Sequence, residues 1–378
     1  MAGRFLDQRD GLPRRLGNAV PDRQQLQFLQ ALLCSDLAEG IIALQAWART
    51  NASDTFDLGL ERLLPIVYQR TTGDAALRLG IPSGPMSQDA LAKLHRRTAR
   101  SNLTCLHNGF RLLDLLDAAA VPFLVLKGAA LTALIYESDW GARPFEDLDI
   151  LIGRDDIDQA IAITRNAGYK SYDDVHFRHD SIAPHCAASY VDDSRSHVDI
   201  HWRLTEWQQD PGFEQRAFAR SVQVSLAGRV VATLDRTDHL FHALFHGLSP
   251  NVVPPIRWVV DATHLIRSGE IDWHRLVAES KNARAGHQTS VGISWLSEHI
   301  DVDIPDTVVP LLRLNLSLTE RALELGINNR ALRAAVSVVI RYIARTRGRS
   351  LALRVLNFPL FAWNWAHLDG RTLRVRDR

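Results

Sequence analysis

The sequence predicts an α/β (α+β) core set between two helical regions, and three observations carry that prediction. Between residues 121 and 205, short apolar runs bounded by proline and glycine alternate with helical stretches, the texture of buried strands and their connections. From Gln24 to about Ala120, apolar residues instead recur at third and fourth positions, and after Trp202 that spacing returns. The chain therefore divides into an N-terminal helical region (1–120), a core (121–205) and a mainly helical C-terminal region (206–378).

In the first region Leu26, Phe28, Leu29, Leu32 and Leu33, then Leu37, Ile41, Ile42 and Leu44, mark one apolar face each. Ser87 to Ala119 carries Leu91, Leu94, Leu103, Leu106, Phe110, Leu113 and Leu116 with no internal proline, so it reads as one long helix or two stacked ones. Four or five helices are expected, with loops at Asn51–Asp57 and Thr71–Asp74.

In the core, Phe123-Leu124-Val125-Leu126 lies between Pro122 and Gly128 and reads as a buried strand. A short helix over Ala129–Tyr136 follows, then a loop punctuated by Gly141 and Pro144, then a strand over Leu148–Ile152. Asp155–Ala167 has helical spacing, with Gly168 placed as its C-terminal cap. Further strands are expected at Ala187–Val191 and Val198–Trp202. Beyond them come a strand-like Arg229–Leu234 and helices at Asp238–Gly247, Ile256–Ser268, Trp273–Ala283 and Ala322–Arg345.

With 378 residues, 46% hydrophobic and 23% charged, the chain has the composition of an ordinary globular protein. Its net charge of +1 gives no global argument for a nucleic-acid or membrane partner. Cys34, Cys105 and Cys186 are far apart, form no CxxC pair and read as small buried hydrophobes of a reducing compartment. No apolar run is long enough to cross a bilayer or serve as a secretory leader, so a cytoplasmic location is expected.

The chemistry is concentrated in a few residues. Asp147 and Asp149, one residue apart on a strand, point to the same face and can share a metal ion. A third acidic strand, His197-Val198-Asp199-Ile200-His201, follows, and Lys127-Gly128 closes the strand before them. Nucleotidyl transfer needs phosphate charge neutralised and the acceptor oxygen held in line, which two divalent ions about 4 Å apart accomplish. Hard oxygen ligands suit Mg²⁺, with Mn²⁺ as an alternative. Asp147 and Asp149 would ligate both ions. Asp199 would complete the second site and act on the nucleophile, and Gly128 would let backbone amides approach a triphosphate.

The segments Leu126-Lys127-Gly128-Ala129-Ala130-Leu131, Arg143-Pro144-Phe145-Glu146-Asp147-Leu148-Asp149-Ile150-Leu151-Ile152 and Val198-Asp199-Ile200-His201-Trp202 resemble the uncharacterised nucleotidyltransferase family of the DNA polymerase β superfamily. Ile256–Ala262 and Ile271-Asp272-Trp273 resemble its helical C-terminal part, so the likeness spans roughly 121–277. The resemblance implies a nucleotidyltransferase core with a small mixed sheet, an NTP substrate and two Mg²⁺ ions. It also implies metal or base roles for Asp147, Asp149 and Asp199, and triphosphate contact by Lys127 and Gly128. Arg143 is added as a phosphate contact, because a guanidinium grips phosphate bidentately. Ala129 stands where the wider superfamily has serine.

Several residues also admit plainer readings. A lysine at a strand end can simply reach solvent, and Glu146 reads as a surface residue. His201 and Trp202 either orient a ligand or pack. His239, His242 and His246 invite a zinc reading, but His242 and His246, which could lie on one helix face, lack a third ligand nearby, and packing is preferred. Asp261 reads as a buried hydrogen-bonding residue, and Arg371, Arg374, Arg376 and Arg378 as a solvated tail. The expected activity is transfer of a nucleoside monophosphate to a small molecule, a peptide natural product or an RNA, with a toxin-like or resistance enzyme that modifies RNA, protein or a small antibiotic as a variant differing only in acceptor. A catalytically inactive nucleotide- or partner-binding relative with a regulatory role is the alternative.

Overall fold

The computed structural model describes residues 20–51, 56–72, 80–81, 84–171, 186–193, 196–205, 210, 212–248, 256–318 and 320–321, with isolated positions at 339, 342, 355 and 357–359. Apart from positions 339 and 342, the expected helix at 322–345 lies outside these residues, as do the terminal arginines. The first region is formed by α1 (Arg23–Leu32), α2 (Leu37–Thr50), α3 (Leu58–Glu61), α4 (Leu64–Thr71) and α5 (Gln88–Ala118). Aspartates at positions 22, 36 and 57 cap the first three by accepting backbone N–H bonds from the opening turn. Helix α5 is a single 31-residue helix capped by Ser87.

Next come β1 (Phe123–Val125), α6 (Lys127–Ile135), β2 (Asp147–Ile152), α7 (Ile157–Asn166), β3 (Lys170–Ser171), β4 (Ala187–Val191) and β5 (His197–His201). Gly168 has φ +92°, the left-handed turn expected of a helix-ending glycine. The chain continues through α8 (Phe213–Ala219), β6 (Val222–Leu226), β7 (Arg229–Thr233), α9 (Arg236–Gly247), α10 (Arg257–Arg267), α11 (Trp273–Asn282), α12 (Gly286–His299) and α13 (Val308–Arg313). No helix among the described residues is long and apolar enough to cross a membrane.

The strands form one seven-stranded mixed sheet in the order β3-β4-β5-β2-β1-β7-β6, larger than the small sheet expected. The added strands come from the β6–β7 hairpin, whose second strand pairs in parallel with β1. Its first strand alternates partly exposed and fully exposed positions, ending at buried Leu226. That is why it lacked a sequence signature.

Period-two alternation divides the core into two layers. Phe123, Val125, Leu148, Ile150, Ile152, Val198 and Ile200 face a cluster with the later turns of α5 and with α7. Leu124 and Leu151 face the opposite side, where α1, α2, α4 and α9–α13 share one apolar cluster. Asp147 and Asp149 are in phase with Leu151, so they project into the helical layer that contains both N-terminal and C-terminal helices of the described residues.

The loop entering β2 is held from three sides. Asn102, fully buried on α5, donates to the carbonyls of Trp140 and Arg143, both at 2.8 Å, and accepts from the Phe145 N–H at 3.1 Å. Arg143 donates from Nε and Nη2 to both oxygens of Asp261 on α10, each at 2.8 Å. Tyr136 Oη donates to the same carboxylate at 2.6 Å, and Arg257 Nη1 donates to the Pro144 carbonyl. Asn102→Leu should leave buried backbone groups unpaired and lower unfolding stability by at least about 2 kcal/mol. The check is the urea midpoint, where an unchanged value would show that the loop does not depend on Asn102.

Candidate active site

Strands β2 and β5 run parallel in a register that sets Asp149 directly opposite Asp199 and Leu151 opposite His201. Asp199 and His201 share the face away from Val198 and Ile200, again by period two. Ligand atoms of Asp149, Asp199 and His201 consequently lie within 4.8 Å of one another, a group able to hold a divalent metal ion. Two carboxylates and an imidazole fit such an ion chemically. Asp147, two residues before Asp149 on the same face, lies outside this tightest group and is partly exposed.

Lys127 closes the arrangement from β1. Leu126 still donates its N–H to the Asp149 carbonyl at 2.9 Å, and Lys127 then takes φ +47°, a conformation costly for a side-chain-bearing residue. Its Nζ sits 2.6 Å from Asp149 Oδ1 and 3.3 Å from His201 Nε2, while His201 Nε2 is 2.9 Å from the same carboxylate oxygen. The His201 ring is buried, and its Nδ1 has no hydrogen-bond partner among the described residues.

Electrostatics separates the carboxylates. Burial would raise Asp149, but Lys127 and His201 outweigh it and hold the group well below the usual range. Burial would likewise lower Lys127, and Asp149, Asp199 and Asp147 together hold it above its ordinary value. Asp147 is pushed up to about 6, first by the charge on Asp149 and then by burial. Asp199 also rises to about 6, by burial first and then by Asp149 and Asp147.

The structure thus brings Lys127, Asp149 and Asp199 together, with Asp147 beside them. It gives Gly128 and Arg143 additional work. A Cβ on Gly128 would meet Phe145 Cβ at 2.4 Å and Arg143 Nη1 at 3.0 Å, so the glycine is needed for close packing there. Arg143, expected at the phosphates, has its guanidinium fork engaged by Asp261 in a buried pair. Asp261 is the buried hydrogen-bonding residue expected. Glu146 is exposed, its carboxylate 3.6 Å from Arg62.

Among the described residues none of the three α9 histidines joins a metal-ligand group. His239 Nε2 lies 2.9 Å from Thr233 Oγ1, which donates to the Val125 carbonyl and ties β7 to β1. His242 is buried as well, whereas His246 is exposed and has Lys127, Asp149 and His201 in its electrostatic surroundings. The thiol of Cys105 is pushed up to about 12, chiefly by burial, which agrees with an inert cysteine. His201 was the member of the metal group missing from the sequence-derived set. The i, i+2 spacing that placed Asp147 with Asp149 places it with Asp199.

A mixed sheet that presents two adjacent carboxylates, an imidazole and a lysine on one face, roofed by helices, is suited to phosphoryl or nucleotidyl transfer. A family profile described as "uncharacterised nucleotidyltransferase" matches residues 60–299, well over half of the chain, and the chain belongs to that family. It is a nucleotidyltransferase by that membership. The match extends beyond the sequence motifs into α4 and α5 on one side and to the end of α12 on the other. A comparison with curated proteins returned no match.

The raised Asp147 fixes a pH dependence. Its folded form holds a proton between about pH 4 and 6 that the unfolded chain has released, so its contribution to stability falls as pH rises through that window. In metal-free buffer Asp147→Asn should therefore melt higher than the native protein at pH 7.5, and the difference should shrink toward pH 4. A lower melting temperature of the variant at pH 7.5 would contradict this. Gly128→Ala should destabilise by about 1–3 kcal/mol through overpacking, read as a lower urea midpoint.

Proposed function

We propose that the protein transfers a nucleoside monophosphate from an NTP to an acceptor oxygen at the Asp149–Asp199 face of the sheet. The observation that carries this reading is the in-register parallel pairing of β2 and β5, which sets those carboxylates side by side with His201. Asp147, Asp149 and Asp199 would hold Mg²⁺ or Mn²⁺, two ions in the full site, with His201 as a further ligand. The ions would neutralise triphosphate charge and activate the acceptor oxygen.

Asp199, in register with Asp149 on the neighbouring strand, would orient the acceptor oxygen and take its proton. The acceptor oxygen forms its bond to the α-phosphorus as the bond from that phosphorus to the β-phosphate bridging oxygen breaks, and pyrophosphate leaves. Lys127 would carry positive charge toward the phosphates from the strand end, and Gly128 would offer its backbone N–H. Arg143 serves the site by holding Pro144–Asp147 against α10.

The serine replaced by Ala129 does not by itself argue for an inactive relative. Ala129 is 1% exposed and belongs to the core on the α5 side of the sheet, so a hydroxyl there would face apolar neighbours. The acceptor class proposed is a small molecule or peptide, with RNA as the competing case. The test is incubation with each labelled NTP and Mg²⁺ in cell extract, followed by isolation of the labelled product. Asp149→Asn should reduce transfer by about a hundredfold or more, the scale of losing a charge-stabilising group. Undiminished transfer in that variant would exclude this mechanism.

A further inference from the structure

The segment running into Asp147 carries one guanidinium group, that of Arg143, and is approached by two more, from Arg62 and Arg257. Arg62, at the C-terminal end of α3, approaches Glu146 at 3.6 Å. Arg143 extends its Nη1 to within 3.0 Å of the position a Cβ on Gly128 would take. Arg257, in the first turn of α10, donates from Nη1 to the Pro144 carbonyl. Their counter-charges are uneven. Asp261 is taken up bidentately by Arg143, and Glu146 is an exposed, long-range partner of Arg62.

Arg257 is the cation left over. It is partly buried, its one hydrogen bond is to a neutral carbonyl, and it forms no salt bridge to an acidic side chain among the described residues. Burial first, and then the charge on Arg143, push it down to about 10, with Asp261 only partly offsetting them. A guanidinium removed from water without a counter-ion is costly, and a bound anion would repay that cost. It also lies close enough to the acidic strand to lower the Asp147 carboxylate.

We propose that Arg257 is a phosphate-binding residue of this site, gripping the β- and γ-phosphates of the NTP beside Asp147, with Arg143 and Arg62 supplying the positive surroundings. The inference rests on the nucleotidyl-transfer reading above and deepens it. The position favours the triphosphate tail over an anionic acceptor, because Arg257 is tethered to the segment that ends in Asp147 and its charge reaches that carboxylate. It also replaces Arg143, whose fork is occupied by Asp261, as the source of the bidentate grip.

The test is calorimetric titration of the full chain with inorganic tripolyphosphate in the presence of Mg²⁺. Arg257→Gln should weaken binding by about tenfold to a hundredfold, the loss expected for hydrogen bonds to a charged group. Arg257→Lys, which can keep the bond to Pro144 and the charge but not the fork, should weaken it less and guards against a folding defect in the glutamine variant. Where transfer is measured, KM for the NTP should rise in both variants with a smaller change in kcat. Native-like affinity in a folded Arg257→Gln protein would overturn the inference, even while loss of transfer in Asp149→Asn upheld the reaction. Absence of transfer from all four NTPs by the native protein would overturn the reaction, and with it the substrate assigned to Arg257, whatever tripolyphosphate binding showed.

Discussion

Like-charge crowding is the constraint around which this molecule is arranged. Asp147, Asp149 and Asp199 occupy one face of two parallel strands, with Asp149 and Asp199 in direct register, and carboxylates so placed repel and resist ionisation. Lys127 relieves the centre of this cluster by reaching across from β1 to Asp149, in a left-handed backbone conformation that a lysine rarely adopts. Strain at that residue and the lowered pKa of Asp149 are two sides of one arrangement. The same crowding makes the face receptive to divalent cations.

Holding the face in place requires the surrounding loop to be fixed, and the fixing groups are polar and buried. Asn102 satisfies three backbone groups of the loop before β2, while Arg143, Tyr136 and Asp261 join that loop to α10. Removing one member would leave the others unpaired in a low-dielectric interior, which is why such networks specify a geometry more strongly than apolar contacts do. The N-terminal helices and the C-terminal helices share one apolar cluster over this side of the sheet. The site is therefore roofed by both ends of the described chain.

Much of the architecture was legible in the residues. The strand at Ala187–Val191 falls where expected, and the five N-terminal helices and the single long α5 follow the apolar spacing. Elements with weak periodicity escaped: the exposed β6, the short β3, and helices α8, α12 and α13. The site divides along the same line. Asp147, Asp149 and Asp199 announce themselves as charges in apolar strands, whereas Arg257 is one arginine at the start of an ordinary amphipathic helix.

The sequence by itself determined which faces the carboxylates share, because period two in a strand is fixed by backbone geometry. It also determined the family, through an ordered set of motifs that the match over residues 60–299 contains. Tertiary structure alone decided the partners. The register of β2 on β5 put Asp149 beside Asp199 and brought His201 into the group; the turn at Lys127 aimed its ammonium at Asp149; and α10 engaged Arg143 while leaving Arg257 without a carboxylate among the described residues. These pairings join residues up to 118 positions apart, as between Arg143 and Asp261. No local pattern encodes them, since they arise only when separate elements pack on the same face of the sheet.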